Sequence, residues 1–304
     1  MTTKNARRGL TLVEFLVVVI VGFVLLGLLI PGIINARESA RRSQCKLNLH
    51  QIGLALHNYH DQYRLFPPGY VSGAAPPSTA NGWGWSAQLL PFMESSPIYS
   101  WTNFNLPVDD PSNRRTAEVV SPWYLCPSDA ESKSPFPISD LQGTLVMNAG
   151  PSSYAAICGD SESRTDVTWA NGPFFRNSNT SIQEMRRGSS STAIIGERAW
   201  GMAMGTWVGA PDRGILRAGS SNRWKQSTLP SPAFVLMRSG WINRFTDPAG
   251  GLDESSSFHP GGAHLLFGDG SVRFMAAVAT DGPEHDLLDA MGRLAGDESD
   301  ESDP

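Results

Sequence analysis

Glu197, His259, His264 and Asp269 are side chains of the kinds that hold a metal ion or move a proton. Carboxylates and imidazoles brought within reach of one another can bind a divalent cation or act as an acid and base pair. His259, His264 and Asp269 lie close together in FHPGGAHLLFGDGSVRF, while Glu197 lies in IIGERAW. A structural reading competes with the chemical one. Apolar residues alternate on both sides of Gly268-Asp269-Gly270, which predicts a β-hairpin whose turn needs positive φ. Asp269 would then stand at the turn and cap nearby amides, as turn aspartates do. His259 precedes Pro260-Gly261-Gly262 and would hydrogen-bond to hold that entry loop. His264 would be an ordinary surface or core histidine of the strand. The structural reading is favoured, so no catalytic residue and no metal ligand is expected. No GxSxG elbow, HExxH pair or P-loop appears anywhere in the chain.

The cysteines are Cys45, Cys126 and Cys158. None belongs to a CxxC pair, which excludes a zinc ribbon or a thioredoxin-type motif. Cys126, in YLCPSD, has no histidine nearby and precedes a proline, the setting of a structural thiol rather than a nucleophile. If this region is exported, Cys126 and Cys158 are open to pairing as a disulfide; otherwise they are two small buried apolar side chains. Glu197 is the best buried acid for a cation, but no Asp/Asn-rich calcium loop accompanies it. Trp83 and Trp85 flank Gly84 and invite a carbohydrate-binding reading, against which aromatic core filling is preferred.

These residues need a scaffold, and composition bounds it. The chain has 304 residues and a net charge of −5, with 40% hydrophobic and 17% charged residues. It is therefore neither disordered nor a multi-span membrane protein, and it offers nucleic acid no general attraction. With 30 glycines and 22 prolines, many turns and short strands are expected rather than a helical bundle. Candidate strands are Leu145–Met147, Tyr154–Ile157, Thr192–Glu197, Gly205–Val208 and Phe234–Met237. Short helices are expected over Trp85–Met93, after a capping box at Ser181-Ile-Gln-Glu184, and near Glu284–Leu294. The terminal DESDESD run is expected to be a solvated tail.

The N-terminal region has a different character. Leu10–Ile30 is apolar apart from Thr11, Glu14, Gly22 and Gly27. As a helix, at about 1.5 Å per residue, it spans roughly 30 Å, the thickness of a bilayer's hydrocarbon core. Beyond Pro31, which is expected to kink the helix, Cys45, Leu49, Ile52, Leu56 and Tyr59 recur at helical spacing and make one stripe. The helix should end near His60, ahead of Pro67-Pro68. Basic residues flank the apolar segment on both sides, so charge does not orient it.

Gly9 followed by LTLVEFLVVVIVGFVLLGLLIPGI resembles the signal of type IV prepilins and of type II secretion pseudopilins. The resemblance implies a basic leader cut between Gly9 and Leu10 by a prepilin peptidase, which also methylates the new N-terminus of Leu10. Glu14 matches the glutamate at the fifth mature position, and Pro31 the helix-kinking proline. Leu10 stands where phenylalanine is commoner. A carboxylate buried among helices needs a partner, and the amine of a neighbouring subunit's Leu10 would supply it. Further along, QLLPFMESSPIYSW, YLCPSD, SSYAAICG, RRGSSSTAIIGERA and FHPGGAHLLFGDGSVRF resemble a family of bacterial prepilin-like proteins named for a C-terminal H-x9-DG motif. His259, Asp269 and Gly270 supply that motif here, while Arg187 stands where the family prefers an aspartate. Pseudopilins sometimes hold calcium in the globular domain, which is the one cofactor the resemblance allows.

The expected fold is thus α+β and pilin-like, a long N-terminal helix packed on a mostly antiparallel sheet. The expected organisation is a leader (1–9), a membrane half of the helix (10–30) and an amphipathic half (31–60). A globular head (61–295) and an acidic tail (296–304) complete it. The expected function is that of a structural subunit, not an enzyme, anchored in the inner membrane with its head in the periplasm or envelope. It would be processed by the peptidase and assembled with other pilin-like subunits into a filament. The alternative is a membrane-tethered hydrolase or glycan-binding protein, which would bring His259, Asp269 and Glu197 together in an open pocket.

Overall fold

A computed structural model describes residues 12–73, 81–93, 96–129, 131–160, 170–218, 228–244, 251–277 and 282–295. The cleavage residues Gly9 and Leu10 and the acidic tail 296–304 lie outside them. The chain divides into two compact units, Met1–Ser43 and Gln44–Pro304.

Helix α1 covers Leu12–Tyr63 and passes through Pro31 without a break. In the smaller unit its large apolar side chains are exposed, Leu12 at 81% and Phe23 at 72% among them. Glu38 there bonds the Arg41 guanidinium at 2.6 Å. From Gln44 onward the same helix is amphipathic: Cys45, Leu49, Ile52 and Leu56 are fully buried, as their spacing predicts. The helix ends at Tyr63 because Arg64 turns left-handed, φ +63°, and its N–H donates to His60 O at 2.7 Å.

Short helices follow: α2 (Trp85–Gln88), α3 (Ser96–Trp101) and α4 (Arg114–Ala117). The single helix expected over Trp85–Met93 is broken because Pro91 cannot donate an N–H; a 3-10 turn, Leu90–Phe92, takes its place. Strands β1 (Phe136–Ser139) and β2 (Leu145–Ala149) form one hairpin, and β5 (Ile215–Arg217) and β6 (Thr228–Pro230) another. The main sheet holds β3 (Tyr154–Ile157), β4 (Ala193–Glu197), β7 (Leu236–Arg244), β8 (Glu254–Ser257), β9 (Gly262–Phe267) and β10 (Val272–Ala276), in the order β10-β9-β4-β3-β7-β8. Pairings from β10 to β3 are antiparallel; β3–β7 and β7–β8 are parallel. The last helix is α5, Pro283–Met291.

The expected strand over Gly205–Val208 does not form. Thr206 bridges Pro151 and Gly209 bridges Trp83, so each end has a different partner and no ladder develops. The candidate over Phe234–Met237 is shifted: Pro232 sets a 3-10 turn, Ser231–Phe234, and extended chain begins only at Leu236. The capping box is present, with the Ser181 N–H donating to the Glu184 carboxylate at 2.6 Å.

The sheet is covered on both faces, which explains why β3, β4 and β9 are buried at every position. Alternation along the strands sends Tyr154, Ala156 and Leu266 into a core shared with the stripe of α1 and the aromatic residues Trp83, Trp85 and Tyr124. Ala155, Ile157, Ala263, Leu265 and Phe267 point the other way, to a smaller core closed by Leu288 of α5. A Cβ at Gly53 would lie 2.9 Å from Leu266 Cδ1, so the bare glycine lets α1 sit close against β9.

Leu266→Ala removes a fully buried side chain at that contact and should cost about 2–5 kcal/mol. Leu287→Ala, at an exposed position of α5, should stay within about 0.5 kcal/mol of the parent. Thermal or denaturant melts of the full chain in detergent check the pair; equal effects would contradict the packing described.

Candidate functional site

The stripe of α1 meets the loop that follows the 3-10 turn Pro122–Tyr124. Asn48, one turn beyond Cys45, donates from Nδ2 to Leu125 O at 2.8 Å and so draws that loop onto the helix. Cys45 and Cys126 then stand 5.2 Å apart at Cα and form a disulfide. The pairing considered for Cys126 and Cys158 is thereby corrected. Cys126 is already committed to the helix, and Cys158 is a free, buried thiol at the end of β3. Its N–H donates to Met237 O at 2.9 Å, and burial pushes the thiol up to about 12. The bond closes a loop of 81 residues. In the chain-entropy account such a loop contributes roughly 4.5 kcal/mol to stability.

Beside the disulfide lies Glu197, the last residue of β4, at 2% exposure. Its Oε2 accepts the His264 backbone N–H at 2.8 Å, and its Oε1 accepts from His264 Nδ1 at 3.1 Å. His259 Nε2 lies 3.6 Å from the same Oε1 and 3.4 Å from Cys126 Sγ, and His259 Nδ1 faces Ser128 Oγ at 3.4 Å. Burial alone would raise the Glu197 carboxyl. The hydrogen bonds from His259 and His264 outweigh it and hold the group at about 2.

Two further buried charges flank the cluster. Asp129 accepts the Trp200 N–H at 2.6 Å and the Ser153 hydroxyl at 2.9 Å, both on Oδ2, and burial pushes its carboxyl up to about 6. Arg198 is fully buried and donates to Ala233 O, Phe234 O and Leu236 O at 2.6–2.8 Å. Ala233 O and Phe234 O end the 3-10 turn before β7, and Leu236 O belongs to the first residue of that strand. Burial lowers the Arg198 guanidinium to about 10.

The hairpin is as expected. Its turn carries Gly270 at φ +82°, and the Asp269 carboxylate accepts the Ser271 N–H at 2.9 Å. His50 of α1 donates from Nδ1 to Gly270 O at 3.1 Å, so the turn also rests on the helix. His259 and Glu197 therefore converge, whereas exposed Asp269 does not join them. The space beside Glu197 is a cavity of about 10 Å³, lined by Cys126, Asp129, Ser153 and Ser256 among others, room for roughly one water. Glu14 lies in the first turn of α1, and Pro31 is inside that helix.

Sequence reasoning missed Cys45 as the partner of Cys126, and Ser128, Asp129 and Arg198 as buried polar groups. The stripe position of Cys45 was the available signal for the first. Nothing in periodicity marks the others, which are buried by loops.

These features define an α+β protein with, among the described residues, one helix long and apolar enough to cross a membrane; its most apolar stretch has a mean hydropathy of 3.0 and none of it is buried. The chain belongs to the SBP_bac_10 family, described as proteins of unknown function (DUF1559), whose model matches residues 34–280. No curated protein and no solved structure matches the chain.

The disulfide predicts one thiol reactive toward a maleimide in the unfolded, unreduced wild type, and two in Cys45→Ser. Labelling counted by mass spectrometry checks this; no label in Cys45→Ser would restore the Cys126–Cys158 pairing. Asp129 predicts a pH effect. Its folded value lies above that of an unfolded aspartate, so the folded state holds the extra proton between about pH 4 and 6. Stability falls as pH rises through that window, by up to about 3 kcal/mol from this group. Asp129→Asn should remove the fall, giving a flatter melting profile from pH 4 to 7.5; parallel profiles would contradict the assignment.

Proposed function

We propose that this protein is a prepilin-like structural subunit of the bacterial envelope, of the family named for the H-x9-DG motif. In this reading it is anchored in the inner membrane by the first half of α1 and cut after Gly9. It is then N-methylated at Leu10 and assembled through α1 into a pilus or type II secretion-like filament.

The observation that carries the reading is the apolar run of α1, none of which is buried. An apolar surface of this extent calls for lipid or another protein to cover it, and a filament of packed helices supplies the second after the first. Glu14 interrupts that run. Among packed apolar helices a carboxylate is stabilised by a cation, and cleavage creates one at the Leu10 amine of a neighbouring subunit. His259, Asp269 and Gly270 act as structural residues: His259 holds the entry loop against Glu197, and the turn seats the hairpin on α1.

Co-expression with a prepilin peptidase, followed by mass spectrometry of the N-terminus, tests the reading. The expected mature chain begins at N-methylated Leu10. Glu14→Ala should be cut normally yet be lost from isolated filaments by an order of magnitude or more. An uncleaved wild type, or full incorporation of the variant, would count against it.

A further inference from the structure

We propose that Cys45, Cys126, His259 and Glu197 bind one zinc ion when the two cysteines are reduced, so that the disulfide and the metal are alternative occupants of one site. The donors come from four separate segments: α1, the loop after Pro122–Tyr124, β4 and the loop after β8. All are buried, and their ligand atoms lie within 4.8 Å of one another. His259 Nε2 faces Cys126 Sγ at 3.4 Å and Glu197 Oε1 at 3.6 Å. Neighbouring donors around tetrahedral zinc stand about 3.5 Å apart, given bonds of about 2.0–2.3 Å.

The arrangement does not suit nucleophilic catalysis. In a thiol–imidazole–carboxylate relay the acid takes the nitrogen opposite the thiol. Here one nitrogen faces both groups, as ligands do around a common centre. Outer contacts complete the pattern: His259 Nδ1 faces Ser128 Oγ, and Glu197 is held by the His264 N–H and ring. An independent observation comes from Asp129. Its Oδ1 is buried with no hydrogen-bond partner among the described residues, and it lines the cavity shared by Cys126 and Glu197. Two thiolates, an imidazole and a carboxylate favour zinc over calcium or magnesium, which prefer all-oxygen sites.

The exchange balances. A dithiol reductant gives two electrons and two protons to the Cys45–Cys126 bond and becomes a disulfide itself. Zinc then displaces the two thiol protons. A disulfide oxidant takes the two electrons back, picks up two protons from solvent to become a dithiol, and so reforms the Cys45–Cys126 bond and releases Zn²⁺.

The test uses the full chain in detergent, metal-free, oxidised or reduced, titrated with cobalt(II) and then with zinc against a chelating dye. The reduced wild type should take up one equivalent, with thiolate-to-cobalt charge-transfer and tetrahedral ligand-field bands, and the oxidised chain none. Cys158→Ala should leave the spectrum unchanged. His259→Ala, which keeps both thiols, should lose the tetrahedral bands and bind more than about tenfold more weakly. If reduction unfolds the chain, zinc should restore its circular dichroism. Failure of the reduced wild type to bind one equivalent, or undiminished binding by a Cys45→Ser/Cys126→Ser chain, would overturn the proposal.

Discussion

A carboxylate sealed inside a protein must be met by donors, and Glu197 is where this fold meets that demand. Left alone, such a charge would cost several kcal/mol. Its donors come from β9, through the His264 N–H and ring, and from the loop before β9, through His259. The pairing of Gly196 with Leu265 brings His264 to the acid. A slip of one residue would turn His264 to the opposite face and bring an aliphatic residue in its place. The acid therefore specifies the register of the hairpin, and the hairpin specifies where His259 stands.

From His259 the same line of contacts continues to α1. Its ring lies against Cys126, which is bonded to Cys45 on the buried stripe of the helix. The hairpin turn reaches α1 separately, through Gly270 and His50, and Leu266 packs at Gly53. Sheet, loop and helix are joined by one buried charge, one covalent bond and one close packing contact. Arg198 performs a comparable task on the other side of Glu197, ending the turn that launches β7. Polar groups at these points specify a single arrangement that the apolar cores, indifferent to direction, would leave loose.

The two parts of α1 follow different solvents. From Gln44 onward Cys45, Leu49, Ile52, Ala55 and Leu56 gather on the face that the sheet covers, while Leu47 and Leu54 stay exposed. From Leu12 to Ile34 they run all round the helix, a composition suited to surroundings that are apolar on every side. Membership of a family whose match begins at residue 34 covers the helix from just after the apolar run, the Glu197 cluster and the hairpin. The proposed assembly role rests on the segment ahead of that match.

Much of this was legible from sequence where a local pattern carries the information. Helical spacing marked the buried stripe from Cys45 to Leu56; alternation around Gly268-Asp269-Gly270 marked the hairpin; β-branched and apolar runs marked β3 and β4. These depend on neighbours a few residues apart, so the chain itself declares them. Cys126 could not be matched to Cys45 in the same way, because their meeting depends on a loop folding back onto a helix many residues distant. Gly205–Val208 had the residues of a strand but found two different partners, which local propensity does not foresee. The burial of Asp129 and Arg198 was equally out of reach, since each is enclosed by loops whose path is set by contacts elsewhere. The sequence by itself thus determined the α+β class, the apolar helix and the hairpin. Only the tertiary structure decided which cysteine pairs and which charges are buried, because both are consequences of long-range packing.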